Sequence, residues 1–244
     1  MMKVMSFNTR VDVESDGIYA FKHRVDGIVK FLEEENPDII GFQEVRPGML
    51  NVLINRLKGY DFIGEARAEN DEYNPIFYKK KHKVVYTATK WFGDSPNVKG
   101  SKHPDAYFPR IFCIAQIEIE EEIYEIINTH FSHISHTARL DSLNTLVKYY
   151  QEKTTNNKFI LMGDFNAYPN ENVNEILSRH LNSCWDNYTG DTLTFHNFTN
   201  ETKGLPIDYI WLSKELKFDK VTVHRALYNN LYLSDHYPIS LIIE

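Results

Sequence analysis

Short apolar runs that end in polar or turn-forming residues constrain the fold of this chain more than any other feature of its sequence. The runs are three to nine residues long and rich in isoleucine, valine and phenylalanine, which is typical of buried β-strands. The runs at 111–119 and 123–129 flank three consecutive glutamates and are predicted to pair as a hairpin. In full, we predict strands over residues 4–7, 39–42, 76–78, 84–87, 111–119, 123–129, 159–162, 207–212, 217–223 and 239–243.

Between these runs, three segments carry apolar residues at helical spacing instead. The first begins at Phe21 and ends before Pro37, which lacks a backbone donor and disfavours helix in the residue before it. The second covers residues 49–57 and is followed by Gly59, and the third covers residues 138–150. Because short turns join some neighbouring strands and helices join others, hairpins and βα units are mixed. The pattern therefore predicts a layered α/β protein with mixed sheets.

The composition excludes several classes of protein. With 42% hydrophobic and 14% aromatic residues, the chain carries too much apolar surface to be mainly disordered. A net charge of −7 weighs against a protein that coats nucleic acid with a broad basic surface, although it leaves room for a small basic cleft. Cys113 and Cys184 are too few and too far apart to suggest a disulfide framework or a zinc motif.

The organisation of the chain is simple at this level. We find no internal repeat, no low-complexity tract and no linker rich in proline or serine, so we expect a single domain over residues 1–244. No stretch approaches the roughly 18 consecutive apolar residues that a membrane span requires. The first ten residues resemble neither a signal peptide nor a lipidation motif. We therefore expect a cytoplasmic, monomeric protein that does not bind membranes.

Acidic, amide and histidine side chains follow most of the predicted strands. Taken singly, each has a plain structural interpretation as a turn residue or a solvated strand end. Asp208 is different, because it lies inside an apolar run and a buried carboxylate requires a partner. Together the acids, amides and histidines can converge on one rim of a sheet, where α/β proteins assemble their sites. These motifs are Asn8, Gln43-Glu44, Asn128-Thr129-His130, Gly163-Asp164-Phe165-Asn166, Asp208 and Ser234-Asp235-His236.

The chemistry of these residue types favours metal-assisted hydrolysis. Carboxylate and amide oxygens suit Mg²⁺, a hard cation, whereas zinc would require a spacing of cysteine and histidine that is absent here. Histidines beside acids suit acid–base catalysis. The sequence contains neither a Gly-x-Ser-x-Gly motif nor a phosphate-binding glycine-rich loop. The set fits attack by an activated water on a phosphorus centre, with a metal ion stabilising negative charge.

In this order, the motifs resemble those of the endonuclease/exonuclease/phosphatase superfamily, the deoxyribonuclease I-like metal-dependent phosphohydrolases. The resemblance extends from Ser6-Phe7-Asn8 to Ser234-Asp235-His236 and so covers nearly the whole chain. The stretch from Asn128 to His133 with the following Ala138-Arg139 is similar to a pattern of short bacterial members. The resemblance implies a four-layer α/β sandwich, in which two mixed β-sheets pack face to face with helices on the outer faces.

The same resemblance assigns expected roles around a metal ion and the attacking water. Glu44 is expected to be the principal metal ligand, with Asn8 beside it and Asp235 near the same rim. Asp164 and Asn166 are expected to position the nucleophilic water and the phosphate. The expected cofactor is Mg²⁺, with Mn²⁺ as an alternative.

Further roles follow for the groups that contact the phosphate. His236 is expected to contact the scissile phosphate and to be oriented by Asp208. His130 is expected to act as the acid for the leaving oxygen or as a phosphate contact, supported by the carboxylate of Glu72. Arg110 resembles the phosphate-binding arginine of the family and ends the long loop 93–110.

That loop also carries Lys99, Lys102 and His103 in an otherwise acidic chain. A loop of this length without periodicity is often functional, so the lysines either line a phosphate cleft or face solvent. His133 and His136 are likewise open to two interpretations, as substrate contacts or as surface histidines in a polar turn.

The resemblance implies a Mg²⁺-dependent phosphoesterase that hydrolyses a phosphodiester in the manner of a nuclease. One alternative is a phosphatase or phospholipase-type hydrolase that acts on a small or lipid phosphate ester. Another is a non-catalytic module that binds a phosphorylated ligand, although the presence of Glu44, Asp164 and His236 favours an enzyme. No cationic amphipathic helix supports membrane docking. The expected partner is therefore a phosphodiester substrate, either a nucleic acid or a small phosphate ester.

Overall fold

Two six-stranded mixed β-sheets form the centre of the protein in the computed structural model, which describes residues 1–153 and 158–244. Strands are numbered in chain order. The first sheet has the order β11-β12-β1-β2-β4-β3, and its strands are β1 (Met2–Asn8), β2 (Ile39–Gln43), β3 (Tyr60–Ile63), β4 (Ile76–Lys79), β11 (Thr222–Val223) and β12 (Ile239–Ile243). The second has the order β5-β6-β7-β8-β10-β9, with β5 (Lys83–Trp91), β6 (Ile111–Ile119), β7 (Glu122–His130), β8 (Lys158–Asp164), β9 (Leu181–Ser183) and β10 (Asp208–Ser213).

Helices cover the outer face of each sheet. Helices α1 (Phe21–Glu35) and α2 (Pro47–Arg56) pack on the first sheet, and α3 (His136–Lys153) and α4 (Asn172–Ser178) pack on the second. A short 3-10 segment, Glu14–Tyr19, precedes α1. The order of layers is therefore helix, sheet, sheet, helix, which confirms the predicted four-layer α/β sandwich.

Alternation along the strands explains why the two sheets pack face to face. In β8, Ile160 and Met162 join the cluster between the sheets, while Phe159 and Leu161 face the helices on the other side. Because both faces of these strands are buried, their sequences are almost continuously apolar. The inter-sheet cluster forms the common core of the molecule.

Two parallel pairs bring the chemistry-bearing strand ends to one rim. Strand β1 runs parallel to β2, with Asn8 opposite Gln43. Strand β7 runs parallel to β8, with His130 opposite Asp164. A helix joins the members of each pair, as a parallel connection requires, so the carboxyl ends of all four strands lie at the same end of the sandwich.

A buried amide links the two sheets next to this rim. The side-chain Nδ2 of Asn128, on β7, donates to the carbonyl of Phe42 at 2.7 Å and to those of Asn74 and Pro75 at 3.1 Å. Its Oδ1 accepts from Gln43 Nε2 at 2.7 Å. Asn128 thereby holds the end of β2 in the first sheet against the second sheet.

The structure corrects one predicted strand and adds elements that the sequence did not indicate. The run 217–223 forms a strand only at Thr222–Val223. Phe218 makes an isolated bridge to Ile243, and Asp219 N–H donates to the Ile242 carbonyl, so the segment follows β12 without regular pairing. Strands β3 and β9 and helix α4 are short and were not predicted.

Candidate active site

The predicted site residues surround one pocket of about 410 Å³ at the rim formed by the strand ends. Asn8 and Asp208 are buried behind its wall and contact residues that line it. Every other predicted site residue lines the pocket directly: Glu44, Glu72, Arg110, His130, Asp164, Asn166, Asp235 and His236. Folding therefore brings together residues that lie up to 228 positions apart in the chain.

The Gly-Asp-Phe-Asn motif forms a turn at the end of β8 that aims two side chains into the pocket. Gly163 has φ +147°, and a Cβ there would lie 1.9 Å from the Thr129 carbonyl oxygen of β7, so only glycine fits. Asn166 adopts the left-handed conformation at φ +46°, and its backbone N–H donates to Asp164 Oδ1 at 2.9 Å. Its side-chain Nδ2 lies 3.0 Å from His130 Nε2. The turn thus connects Asp164, Asn166 and His130.

Glu44 reaches the pocket through a similar turn at the end of β2. Its φ is +62°, and its Oε2 accepts a hydrogen bond from the Val11 N–H at 2.8 Å. Asn8 Nδ2 donates to Glu44 Oε1 at 3.1 Å and to Asp164 Oδ2 at 3.0 Å. The Asn8 Oδ1 accepts from the Arg10 N–H at 3.0 Å. Asn8 therefore bridges two carboxylates through its amide nitrogen, while its oxygen faces the backbone.

His236 and Asp208 form a buried pair. Asp208, at the start of β10, places Oδ2 2.8 Å from His236 Nδ1, and His236 Nε2 lies 3.8 Å from Asp164 Oδ2. Burial disfavours the charged ring, but the charge and hydrogen bond of Asp208 outweigh burial and raise the pKa of His236 to about 10. His236 is therefore a cation near neutral pH, and its ring is held against Asp208 by this contact.

Burial makes Asp164 and Asp235 resist ionisation. Burial, followed by the charge of nearby Asp208, raises the pKa of Asp164 to about 7. Burial also raises the pKa of Asp235, whose carboxylate lies 3.7 Å from Arg10 Nη1. Carboxylates crowded together in this way are stabilised by a cation placed between them. Side-chain atoms of Glu44, Asp164 and His130 lie within 4.8 Å of one another and could hold a metal ion.

His130 differs from His236 in charge. Burial, and then the positive charges of Arg110 and Arg67, hold its pKa well below the ordinary value. Its Nε2 lies 3.4 Å from Asp164 Oδ2, and its Nδ1 has no hydrogen-bond partner in the part of the chain that the structure describes. A neutral imidazole is a weak acid near pH 7. Of the two roles expected for His130, a phosphate contact fits this environment better.

The expected support of His130 by Glu72 is wrong. Arg67 Nη1 lies 2.9 Å from Glu72 Oε2, and Arg67 Nη2 donates to Glu72 Oε1 at 3.1 Å. The guanidinium thus binds both carboxylate oxygens, whereas neither oxygen makes a hydrogen bond to His130, whose Nδ1 has no partner among the described residues. Glu72 still lines the pocket, and its effect on the site passes through Arg67, which also lies 4.4 Å above the Phe108 ring.

Arg110 is a buried cation without an acidic partner. Its Nη2 lies 3.1 Å from His133 Nδ1, and among residues 1–153 and 158–244 no carboxylate lies within ion-pair distance of it. Burial, and then the charge of Arg67, lower the pKa of Arg110 to about 10, so it remains charged near neutral pH. An unpaired buried charge that faces a pocket is stabilised by an anion that enters the pocket.

The lysines of loop 93–110 do not line the pocket. Lys99 lies 3.5 Å from Glu65, and Lys102 donates to the Ala106 carbonyl at 2.7 Å. His103 pairs with Asp141 at 2.9 Å. Of the two interpretations left open, the structure therefore favours lysines that face solvent. From this loop, only Phe108 and Arg110 are among the lining residues found in the described part of the chain.

Most of the positive charge in the pocket comes from Arg10, Arg46 and Arg67, which were not predicted as site residues. A signal for two of them was present. Arg10 lies two residues after Asn8, and Arg46 lies two residues after Glu44. Each arginine therefore closely follows a predicted site residue at the end of a strand. Arg67 lies in a loop without such a signal. His133 also lines the pocket, whereas His136 begins α3.

Comparison with known proteins identifies the family. Residues 5–236 match the model of the Endonuclease/Exonuclease/phosphatase family. The chain belongs to this family. Endonucleases, exonucleases and phosphatases hydrolyse phosphate esters, so the protein is a hydrolase of that class. Members of the family generally use a divalent metal ion, and the acidic and histidine cluster described above is a candidate for binding one.

Individual relatives match the chain over its full length. An uncharacterized protein of Acanthamoeba polyphaga mimivirus, L388, is 27% identical, and the match covers 100% of both chains. A mannosyl-6-phosphatase of Bacteroides thetaiotaomicron is 26% identical, with a TM-score of 0.91 and coverage of 100% of both chains. A structure described as the endonuclease/exonuclease/phosphatase of Bacteroides vulgatus has the same identity of 26% and TM-score of 0.91, and the match covers 100% of this chain and 99% of that one.

Proposed function

We propose that this protein is a divalent-metal-dependent hydrolase of a small phosphate ester, in which an activated water attacks the phosphorus atom. The observation that carries the proposal is Arg110, a buried cation for which the described residues supply no acidic partner, in the same pocket as the carboxylates of Glu44, Asp164 and Asp235. Such a pocket suits a ligand that brings a negatively charged phosphate together with a divalent cation.

The residues present fit a magnesium ion. Glu44, Asp164 and Asp235 supply carboxylate oxygens within one pocket, and Mg²⁺ prefers oxygen ligands. Glu44 is the expected principal ligand, with Asp235 on the same rim, and Mn²⁺ has the same ligand preference. Asn8 would join them by turning its amide oxygen toward the pocket. When bound, the ion offsets negative charge that develops on the phosphate oxygens.

Side chains of the protein itself carry out the other catalytic roles, which are activation of the water and binding of the phosphate. Asp164 is buried at the end of β8 and can accept a hydrogen bond or a proton from the attacking water. Asn166 lies beside it and fixes the geometry of water and phosphate. The cationic His236 and Arg110 bind phosphate oxygens, and His130 adds a neutral contact. These groups are already oriented by their own hydrogen bonds, so little reorganisation is required.

The distribution of charge favours a small substrate over a long nucleic acid. The arginines lie inside one pocket, while the loop lysines lie away from it and the chain as a whole has a charge of −7. A polyanion would be repelled by the remaining surface. Similarity to a mannosyl-6-phosphatase over the full chain supports a phosphomonoester of a small molecule. The phosphodiester expected from the sequence alone is the competing substrate in the test below.

A substrate panel tests the proposal. The protein is freed of metal with EDTA and assayed with Mg²⁺ or Mn²⁺ added back, on hexose 6-phosphates, inositol phosphates, bis(p-nitrophenyl) phosphate, single-stranded RNA, poly(A) and duplex DNA. We expect metal-dependent release of phosphate, fastest on a small monoester. Faster cleavage of the diesters or nucleic acids would restore the nuclease-like function, and activity that persists in EDTA would contradict metal dependence.

Glu44→Gln tests the metal site directly. The amide keeps the shape of the side chain but loses the charge that holds a divalent ion, so we expect weaker Mg²⁺ binding by calorimetry and nearly complete loss of turnover. Circular dichroism should show an unchanged fold. Glu121→Gln, in the exposed turn between β6 and β7, is the matched control. Equal Mg²⁺ affinity and equal rates for Glu44→Gln and wild type would remove Glu44 from the site.

A further inference from the structure

We propose that Thr194 is a positioning residue for the Asp208–His236 pair, an inference that rests on the proposed hydrolase function. Thr194 is fully buried in the segment between β9 and β10. Its hydroxyl oxygen accepts hydrogen bonds from the backbone N–H groups of Ile207 at 3.0 Å and of Asp208 at 3.2 Å. One side chain therefore holds the backbone from which the Asp208 carboxylate extends.

The same residue also holds the backbone beside His236. The Thr194 carbonyl accepts a hydrogen bond from the Tyr237 N–H at 2.7 Å. Phe195, the next residue, forms an antiparallel bridge with His236. Thr194 thus contacts the backbone at or next to both members of the Asp208–His236 pair, which are 28 residues apart in sequence.

This double attachment matters because the pair depends on a short contact between two separate segments. The Asp208 Oδ2 to His236 Nδ1 distance is 2.8 Å, and a displacement of about 1 Å in either backbone would break the hydrogen bond. The carbonyl of Asp208 is held from the other side by the indole N–H of Trp185 at 3.0 Å. On the other side, the Thr194 hydroxyl oxygen accepts the hydrogen bond from the Asp208 N–H. The hydroxyl, rather than the bulk of the side chain, is therefore the group that the site requires.

Three variants separate the hydroxyl from the rest of the side chain. Thr194→Val keeps the shape and removes the acceptor, whereas Thr194→Ser keeps the acceptor. Thr192→Val, two residues earlier, removes a hydroxyl that donates to the Gly204 carbonyl at 2.9 Å and is the matched control. We expect Thr194→Val to lower kcat by about 10- to 100-fold, as loss of an orienting contact commonly does, with KM unchanged. Thr194→Ser and Thr192→Val should keep wild-type kcat.

Two further readouts distinguish positioning from a general structural role. In the His236→Ala background, Thr194→Val should lower kcat no further, since the pair that it positions is gone. In proton–nitrogen NMR spectra at fixed pH, Thr194→Val should shift or remove the His236 Nδ1 proton resonance, and Thr194→Ser should retain it. If Thr194→Val does not fold, Thr194→Ala, which also removes the hydroxyl acceptor, takes the same tests.

Two outcomes would overturn the inference. The first is a folded Thr194→Val protein with the kcat of Thr192→Val and an unchanged His236 resonance. The second is an effect of Thr194→Val that persists at full size without His236. If the wild-type protein hydrolyses none of the phosphate esters in the panel, the proposed function is refuted instead. The NMR comparison would still decide the role of Thr194.

Discussion

His236 and His130 face the same pocket but carry different charges near neutral pH, because their neighbours differ. His236 is paired with a buried carboxylate at 2.8 Å, which raises its pKa to about 10. His130 is buried beside Arg110 and Arg67, and its pKa is held well below the ordinary value. The environment of each ring therefore makes His236 a cation and leaves His130 neutral near pH 7.

The His236–Asp208 pair should behave as a unit. We expect His236→Ala to lower kcat by on the order of a hundredfold or more, the usual range for a lost group that stabilises charge in the transition state. Asp208→Asn should lose much of the same factor, because the amide cannot hold the imidazolium in place. The double variant should resemble His236→Ala in steady-state kinetics. If the two losses multiply in the double variant, the residues act separately.

Arg110 should not tolerate replacement by lysine. A guanidinium can contact a phosphate through two parallel hydrogen bonds, whereas an ammonium is a point charge. We expect Arg110→Lys to lower kcat/KM by about tenfold or more, equivalent to one charge-assisted hydrogen bond. Arg179→Lys, on the exposed Arg179–Glu175 pair of the α4 region, should have no effect. Equal kcat/KM for the two variants would show that Arg110 does not contact the substrate.

At the scale of elements, the site depends on close approach of neighbouring strands. Two βα units deliver strand ends to the rim, and the turns after β2 and β8 aim Glu44 and Asn166 back into the pocket through left-handed backbone conformations. Such conformations are unfavourable for residues with a Cβ and are retained where the surrounding structure holds them. The short turns, rather than the long loop 93–110, therefore build most of the site.

Gly163→Ala tests the strand contact. The added Cβ would lie 1.9 Å from a backbone oxygen of β7, so β7 and β8 must separate next to Asp164. We expect a loss of about 3 kcal/mol in the free energy of unfolding and a large loss of activity, checked by urea denaturation and kinetics. Gly48→Ala, in α2 with no atom within 4 Å of the new Cβ, is the control and should be neutral or stabilising. Similar stability for both variants would contradict the close approach.

At the scale of the whole molecule, the end opposite the active site is held by a charge cluster around Asp38. Its carboxylate accepts the Lys3 N–H at 3.1 Å and lies 3.2 Å from Lys79 Nζ and 3.1 Å from Lys81 Nζ. Burial acts to raise the pKa of Asp38, but these donors outweigh it and lower the pKa to about 2. Asp38 thereby connects β1 and β4 at the start of β2.

The sign of the pH dependence follows from that shift. An aspartate in the unfolded chain titrates near pH 4, so the ionised Asp38 stabilises the fold above this pH and loses its effect as the pH falls toward 2. We expect Asp38→Asn to lower the free energy of unfolding at pH 7, and the difference from wild type to shrink between pH 4 and pH 2. Urea denaturation across this range checks it, with the exposed Asp26→Asn as control. A difference that stays constant with pH would contradict the shift.

Several whole-molecule expectations stay predictions. These are the cytoplasmic location, the monomeric state and the single-domain organisation. Across the described residues, none of the helices is both long enough and apolar enough to cross a bilayer.

Much of the fold and the membership of the site followed from the sequence alone, because those signals are local. Apolar runs and helical spacing predicted nearly all the long elements, and polar residues at strand ends predicted the rim, with Glu44, Asp164 and His236 in the pocket. The ordered motifs were specific enough to indicate the family that residues 5–236 match. Short elements such as β3 and β9 were not predicted, since three or four residues carry too little pattern.

Only the tertiary structure decided how the charges of the site are arranged. Arg67 pairs with Glu72, and Lys99 pairs with Glu65 outside the pocket. Arg110 has no acidic partner among the residues that the structure describes. No spacing in the sequence indicates this arrangement. The opposite protonation of His130 and His236 likewise arises from burial and from neighbours distant in the chain. Electrostatic interactions depend on distance and on exclusion of water, and both exist only once the sheets have packed.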